Sequence, residues 1–313
     1  MSTGFNPNAG SSGGAGGASG AGRLGFLDRL KTGWTLTKDS AGVIRDHPKL
    51  LVFPLLASVA SAAFFVLLFV PMLVANVIGS GLEYVVLFVL YFLTTFVSTY
   101  FSCALVHAAN EAFHGREPSV RASTAAVADR LGPILVWSVI SATVSVILKS
   151  MENSDNPIAG ILRSLFAIGW AIMTFFIVPV IVFEDVSVKS MFTRSASAFR
   201  DTWGETLGAG FGITIVVAVF GVVLALGALL ISVPVAAVFP GPGIVLTILL
   251  LGAVIITTYL VSQTIWGIAK TALYVYAVEG RTPEQFENFE FETLGGRTEG
   301  KASPGSSGTT DHL

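Results

Sequence analysis

Charged side chains are scarce in this sequence. They account for 12% of its 313 residues, whereas 53% of the residues are hydrophobic. Ordinary soluble domains contain about 25% charged residues. A water-soluble fold has no place for so much apolar surface, so the composition predicts an integral membrane protein. The formal net charge of −2 is too small to indicate a nucleic-acid partner.

Cysteine and the motifs of known enzymes are also nearly absent. Cys103 is the only cysteine, which excludes an intramolecular disulfide. The sequence has no phosphate-binding loop, no HExxH zinc motif and no GxSxG nucleophile turn. No two acidic residues that could act together in catalysis lie inside a predicted membrane span. We therefore expect a protein that is not an enzyme and that has no catalytic residues, no metal and no cofactor.

The N-terminal residues lack the features of a signal peptide. Met1–Gly22 contains no Lys or Arg and no apolar run, and it consists largely of Gly, Ser and Ala. This composition predicts a flexible tail. We expect the first membrane helix to direct insertion instead.

Long runs without charge make up most of the remaining chain. About 20 apolar residues cross the hydrocarbon of a bilayer. The last run is long enough for two crossings, and the Pro and Gly residues from Pro234 to Gly243 predict the break between them. Six spans are therefore predicted, near Leu50–Leu82, Tyr84–Val106, Leu131–Leu148, Ser164–Phe183, Leu207–Val233 and Ile244–Ala269.

The 18 Lys and Arg residues predict the orientation of these spans. Sixteen of them precede the first span, follow the last, or lie in the second and fourth connections, and only Lys149 and Arg163 lie on the other side. Basic residues accumulate on the cytoplasmic side of membrane proteins. Both termini are therefore predicted to be cytoplasmic, in a multi-pass protein of the cell membrane.

Two polar segments next to the spans have apolar residues at helical spacing. Val188–Trp203 predicts a cytoplasmic amphipathic helix at the membrane interface. Arg23–Asp46 predicts another, broken or bent around Gly42, with Phe26, Leu30, Trp34 and Ile44 as its apolar positions. Its Lys31, Lys38 and Arg45 recur every seven residues and face either anionic head groups or water. The predicted fold class is all-α integral membrane, with six transmembrane helices and cytoplasmic interfacial helices.

Local signals refine this layout. Pro179 removes a backbone donor within the fourth span and predicts a kink. Ser119-Val120-Arg121 and Ser187-Val188-Lys189 begin two similar segments, which suggests a weak internal repeat. Asp185 or Ser187 is the expected N-cap of the second segment.

The end of the chain is acidic and rich in Gly, Ser and Thr. It predicts a disordered tail over 280–313 and limits the membrane domain to 23–279. Phe286, Phe289 and Phe291 lie between glutamates in this tail, and they are interpreted either as local packing on the membrane domain or as a docking peptide.

Several segments carry a family resemblance. FIVPVIVFE, TRSASAF and TWGE, with Trp34 and KLLVFP at Lys49–Pro54, resemble an uncharacterised family of six-helix integral membrane proteins of bacteria and archaea, a domain of unknown function. The resemblance covers about Arg23–Val278 and implies a six-helix fold but no activity. Its most specific residues are Pro179, Glu184, Arg194, Ser195, Trp203 and Gly204.

A few residues are candidates for a site. Cys103, His107, Glu111 and His114 are metal-ligand types on one helix face, but they extend over about 16 Å, too far for one ion. A shared metal at His107 and Glu111 is a hypothesis, and a polar helix face is the favoured interpretation. Lys270 is expected to extend to the interface as an anchor, with transport as the alternative. Gly204, Gly208 and Gly212 predict close packing of the fifth span.

The distinctive residues thus lie at the predicted inner interface. The leading hypothesis is a non-enzymatic membrane protein whose interfacial helices interact with lipid head groups, with other membrane proteins or with a second copy of the chain. The alternative is a transporter or channel for an apolar or weakly polar solute, with a path formed near Pro54, Pro71 and Pro179. A polar cavity halfway across the bilayer would favour the alternative.

Overall fold

The computed structural model describes residues 26–75, 80–151, 157–185, 187–203, 209–286 and 289. The predicted flexible tail Met1–Gly22 and Phe291 lie outside these residues. The described residues contain no strand. Their α-helices are α1 Phe26–Asp46, α2 Val52–Val74, α3 Glu83–Phe113, α4 Val120–Ala128, α5 Leu131–Ser150, α6 Pro157–Met173, α7 Ile177–Phe183, α8 Val188–Trp203, α9 Ala209–Val238 and α10 Pro240–Glu279.

Among the described residues, six helical stretches are long and apolar enough to cross a membrane, which confirms the predicted number of spans. Many of their large apolar side chains are exposed on the outside of the bundle, as expected for helices surrounded by lipid. The stretches are Pro48–Val74, Glu83–Phe113, Leu131–Ser150, Gly160–Phe183, Ile213–Val238 and Pro240–Glu279.

The turn between the last two spans is shorter than predicted. Helix α9 continues through Pro234 to Val238, and α10 begins at Pro240, so the break is confined to Phe239. Pro240 and Pro242 fit the first turn of α10 because the N–H groups of that turn have no partner within the helix. The predicted helix ends at Val233 and Ile244 are therefore corrected on both sides.

Helix α3 lies at the centre of the bundle, packed against α2, α5 and α10. Its contact with α10 is close because Gly267 has no side chain. A Cβ atom added at Gly267 would lie 2.4 Å from Leu105 Cδ2. The close packing predicted for the fifth span falls at Gly204 and Gly208, which lie outside the described residues.

Helix α1 is continuous through Gly42, so, of the predicted break or bend, the break is absent. It packs against α9 and α10 with Leu36, Ser40 and Val43, which are almost completely buried. Trp34, predicted on the apolar side, is 58% exposed. The face of α1 that packs against α9 and α10 therefore differs from the apolar face predicted from the sequence.

The two predicted repeat segments begin in the same way. Ser119 Oγ accepts a hydrogen bond from Ala122 N at 3.4 Å at the start of α4, and Ser187 Oγ accepts one from Ser190 N at 3.4 Å at the start of α8. Ser187, rather than Asp185, is thus the N-cap of α8.

The chain stays ordered beyond the predicted start of the disordered tail at 280. Gly280 ends α10 in the left-handed region, with φ of 68°, and Glu284–Phe286 forms a short 3-10 helix. Phe286 is fully buried, with its ring centroid 5.7 Å from that of Phe113. Phe289 is also buried, so both rings are part of the core, as the local-packing interpretation predicted.

Candidate functional site

A stripe of hydroxyl side chains lies along the middle of α3. The residues are spaced by one and three positions, which places them on one face of the helix. Ser98 is halfway between Glu83 and Phe113, the two ends of α3. The stripe consists of Thr94, Thr95, Ser98, Thr99 and Ser102.

This stripe lines a cavity of about 510 Å³ between the spans. Ser61 of α2 and Tyr259 of α10 also line it, and each lies near the middle of its own helix. The remaining lining comes from α5, α7, α10 and the region between α6 and α7, namely Trp137, Thr174, Phe175, Ile177, Val178 and Lys270. A polar cavity large enough for a small molecule therefore lies halfway along the bundle, and it opens widely to the outside of the bundle, where Ser98 and Tyr259 are exposed.

The fourth span is discontinuous where it borders this cavity. Helix α6 ends at Met173 and α7 begins at Ile177, so Thr174–Phe176 is not α-helical. The prediction of a kink near Pro179 is confirmed. Proline cannot donate to the carbonyl four residues earlier, which is that of Phe175. Non-helical backbone at membrane depth is tolerated where protein buries it or where it lines a polar cavity.

Ser195 of α8 supports the broken segment. Its Oγ accepts a hydrogen bond from Phe176 N at 3.1 Å, and both residues are fully buried. Phe176 also packs against Phe199 and Tyr274, with ring centroids 6.5 Å and 5.6 Å away. Helix α8 thus satisfies a backbone donor that the break exposes and holds Thr174 and Phe175 toward the cavity.

Lys270 is the charged group of the cavity. Its Nζ lies 5.0 Å from the ring centroid of Phe175 and 5.7 Å from that of Trp266. Both distances fit cation–π attraction. Among the described residues that line the cavity, Lys270 is the only one with a charged side chain. The sequence predicted an anchor at the interface, whereas the structure turns the ammonium group toward the cavity.

A smaller cavity of about 90 Å³ adjoins the first one and shares Lys270, Tyr259 and Ser98 with it. Pro54 and Pro179, two of the three prolines proposed for a path, line this smaller cavity, together with Gln263. Pro71 lies inside α2 and is exposed. The smaller cavity is mainly apolar, and the predicted proline path borders this smaller cavity, at Pro54 and Pro179, and not the polar one.

Ion pairs gather at one end of the bundle, which we call the charged end. Glu184 Oε1 accepts from Arg194 Nε at 2.7 Å and also from Tyr274 Oη. Arg130 Nη1 lies 3.0 Å from Asp185 Oδ1. Tyr274 is one helical turn from Lys270, so this cluster lies next to the cavity. It ties α5, α7, α8 and α10 together at the charged end.

The charged end also joins α2 to the segment after α3. Lys49 Nζ lies 2.8 Å from Glu117 Oε1. This hydrogen bond holds the pKa of Glu117 below its usual value. Both side chains are exposed to solvent, so this ion pair adds little to the stability of the fold.

The predicted row of metal-ligand types does not converge on a common centre. Cys103 is buried in the core, and His107 Nδ1 lies 3.2 Å from Ser123 Oγ. Glu111 forms an ion pair with Arg116, with Oε1 and Nη2 2.7 Å apart. His114 Nδ1 lies 2.7 Å from Asn110 O. Within the described residues, no three His, Cys, Asp or Glu side chains are grouped as a metal site requires.

The hydroxyl stripe and the inward direction of Lys270 were missed by sequence reasoning. The stripe was visible in the sequence as polar residues at helical spacing inside an uncharged run. The direction of Lys270 was not visible, because a lysine near the end of a span reaches either the interface or the interior.

Comparison with known proteins adds a family but no activity. A family of unknown function, DUF6159, matches residues 81–284, which include α3 to α10 and most of the cavity lining. The match begins after α1 and α2, later than the resemblance over Arg23–Val278 implied. No curated protein and no solved structure matches the chain.

Proposed function

The chain belongs to the family of unknown function DUF6159, and we propose that it is a non-enzymatic, multi-pass protein of the cell membrane that lets a small polar solute cross the bilayer. The cavity of about 510 Å³ halfway along the spans carries this proposal. Under this proposal, the molecules that the protein contacts are the lipids of the bilayer and the solute. The charged end faces the cytoplasm, as the distribution of Lys and Arg predicts.

A hydroxyl-lined cavity and an ammonium group are costly inside a membrane domain. One charged side chain at the centre of a span costs about 2.5 to 3.5 kcal/mol on insertion scales. Packing of the spans requires neither feature, because apolar and small side chains pack helices in lipid without them. The cavity therefore supports a binding site that water enters, in preference to a dry structural bundle.

The discontinuous fourth span supports the same proposal. Many transporters form their substrate sites halfway across the bilayer, where a helix is broken and its freed backbone groups face the site. Here the break at Thr174–Phe176 borders the cavity, and Thr174 and Phe175 belong to the lining. Because the lining presents hydroxyl groups, it favours a polar solute over the apolar solute that the sequence suggested.

Reaction of single cysteines with a membrane-impermeant methanethiosulfonate tests whether water reaches the cavity. In a Cys103→Ala background, Ser98→Cys should react, because Ser98 lines the cavity. Val97→Cys is the matched control, since Val97 is its neighbour on α3 at the same depth and is not part of the lining. If the cavity forms a passage, the reagent should reach position 98 both when it is added on the cytoplasmic side of the membrane and when it is added on the opposite side.

Two results would contradict this proposal. Equal reaction at positions 97 and 98 would show that helix depth, not the cavity, controls access. No reaction at position 98 from either side would show that the cavity is closed to water.

Helix α1 supports a second role, contact with anionic lipid head groups. Trp34, Lys38 and Arg45 are exposed at helical spacing on the face opposite Leu36 and Val43. Trp and basic side chains on one helix face are typical of contact with the membrane interface. Lys38 and Arg45 form no ion pair with the described residues, so both remain available to head groups.

Nanodiscs of defined lipid composition test this second role. We expect phosphatidylglycerol to raise the melting temperature of the protein less in a Lys38→Gln/Arg45→Gln variant than in the wild type. Arg121→Gln/Lys189→Gln is the matched control, because it removes two exposed basic groups from α4 and α8. If both variants lost the same part of the rise in melting temperature, the cause would be a general charge effect, and a special role of α1 would be ruled out.

A further inference from the structure

Lys270 has no counter-charge of its own. Its Nζ lies over the rings of Phe175 and Trp266, and it makes no ion pair with the described residues. Among the described residues that line the two cavities, none carries a carboxylate. An intramembrane charge normally pairs with another group in the bundle. The ammonium group is thus exposed on its free side to a cavity without acids.

The carboxylate that Tyr274 contacts at the charged end already has a basic partner. Tyr274 lies one turn from Lys270 on α10 and donates to Glu184, and Glu184 accepts Arg194 Nε at both oxygens, at 2.7 and 2.9 Å. Its side chain is 17% exposed. Moving Glu184 toward Lys270 would leave Arg194 without this partner, which costs more than it gains.

The rest of the lining also favours a negative ligand. Thr95, Ser98 and Ser102 project hydroxyl groups from α3, and these groups have no hydrogen-bond partner among the described residues. Hydroxyl groups donate readily to anions, and hydrogen bonds to a charged group are about twice as strong as neutral ones. A cation would meet the repulsion of Lys270 at short distance, whereas a neutral molecule would leave the ammonium group uncompensated.

We propose that the cavity is an anion site: Lys270, together with Ser98 and Ser102, binds one carboxylate, sulfonate or phosphate group of the solute. This inference rests on the proposed function and names the charge of the ligand. The anionic group belongs either to a free solute or to the head of an anionic lipid, since both present the same chemistry to Lys270.

Ligand-dependent stability tests the anion site in protein held in nanodiscs of neutral lipid. The melting temperature should rise with the concentration of methanesulfonate, a permanent anion, because binding to the folded state stabilises it. Methanesulfonamide, a neutral molecule of nearly the same shape, should have little effect. A rise that is equal for both molecules, or absent for both, would overturn the inference.

Variants at Lys270 make the test specific. Lys270→Gln should raise the melting temperature without added anion, since it removes an uncompensated charge, and should weaken methanesulfonate binding by about tenfold or more. Lys270→Arg should keep the anion effect because it keeps the positive charge. Lys189→Gln, an exposed lysine on α8, should change neither quantity. An unchanged methanesulfonate affinity in Lys270→Gln would overturn the inference even if the wild type responds to the anion.

A second arm separates the two sources of the anionic group. Nanodiscs that contain phosphatidylglycerol should suppress the methanesulfonate effect if a lipid head group occupies the site, and should leave it intact if the ligand is a free solute. Reaction of the Ser98→Cys variant tests separately whether the cavity forms a passage through the membrane. Reaction at position 98 without an anion effect supports the passage and overturns the anion site, whereas an anion effect without reaction supports the site and overturns the passage.

Discussion

Ser195 is a single buried hydroxyl on which the broken fourth span depends. Its Oγ is the acceptor for Phe176 N, a donor that the interruption between α6 and α7 leaves outside the regular helix. A buried backbone N–H without a partner is costly, so the hydroxyl compensates a local cost of the break. The same segment carries Thr174 and Phe175 into the cavity lining, so this hydrogen bond also maintains the site.

We predict that Ser195→Ala lowers the free energy of unfolding by about 1 to 3 kcal/mol, because it leaves Phe176 N buried without an acceptor. Ser197→Ala is the control, since Ser197 Oγ donates only to Arg194 O within its own helix, at 3.0 Å. Unfolding in mixed micelles with increasing denaturing detergent, followed by circular dichroism, measures both. Equal stability of the two variants would contradict this role of Ser195.

Asp39 is buried, and one of its carboxylate oxygens lacks a hydrogen bond, within the described part of the chain, that would offset the loss of water. Its Oδ2 has no hydrogen-bond partner among the described residues, and the side chain lies on the buried side of α1. Burial raises the pKa of Asp39 above its usual value, and the neighbouring Lys38 offsets part of this shift. The charged form is therefore less favourable in the folded state than in the unfolded state.

We predict that Asp39→Asn raises the melting temperature at neutral pH. Because the folded-state pKa is raised, protonation favours folding, and the wild type loses this contribution as pH rises through the folded pKa. The difference in melting temperature between the Asp39→Asn variant and the wild type should shrink as pH falls from neutral through the raised folded-state pKa of Asp39, and should stop changing below the ordinary range for aspartate. Exposed Asp46→Asn is the control. A difference that grows at low pH would contradict the predicted sign.

Among the helices, the α9–α10 hairpin shows how a short turn is achieved. Gly243 lies in the first turn of α10 and directly contacts the backbone of α9. A Cβ atom at Gly243 would lie 2.1 Å from Ala236 Cα, a distance that rearrangement of a side chain cannot relieve. The break of one residue at Phe239 therefore requires glycine at this point.

We predict that Gly243→Ala lowers the free energy of unfolding by about 1 to 3 kcal/mol, as overpacking of a close contact does. Gly252→Ala, in the same helix, has no heavy atom within 4 Å of the added Cβ and should be neutral or slightly stabilising. The detergent unfolding assay measures both variants. A Gly252→Ala variant destabilised as much as Gly243→Ala would show that the cost arises from any methyl group added to α10, for example through lipid contact, and not from the clash with Ala236.

For the whole molecule, the cavity and the charged end depend on how the spans are arranged. The cavity combines side chains from α2, α3, α5, α7 and α10 with the break between α6 and α7. The charged end connects α5, α7, α8 and α10 through Glu184, Arg130 and their partners, so the two features share α5, α7 and α10. The ion-paired charged end and the polar cavity thus lie next to one another along the bundle, because Tyr274 and Lys270 are one turn apart on α10.

We predict that the two ends of the bundle lie on opposite sides of the membrane, with the charged end in the cytoplasm. In a Cys103→Ala background, an impermeant maleimide added to intact cells should label Gly241→Cys and leave Arg121→Cys unlabelled until the membrane is opened. The physical reason is the retention of basic residues on the cytoplasmic side. Labelling of both positions from the same side would contradict the topology.

Much of the fold was predictable, whereas the site was predictable only in part. Uncharged runs and their lengths predicted six spans because transfer of charge into hydrocarbon is costly at every position of a span. The kink at Pro179 and the N-cap at Ser187 followed from local backbone chemistry. The predicted turn was longer than the single residue Phe239, because α9 continues through Pro234. Whether a helix can continue through a proline depends on the helices packed around it, which the sequence does not show.

Hydropathy and charge act residue by residue, so the order of amino acids alone establishes which segments dissolve in lipid. The direction of Lys270, the buried face of α1 and the packing of Phe286 are settled only once the helices have packed together. Each of these depends on which helices are adjacent, and a helix presents several faces of similar hydropathy to lipid and to protein. The same packing brings hydroxyl groups from distant parts of the chain around one ammonium group, so the site exists only in the assembled bundle.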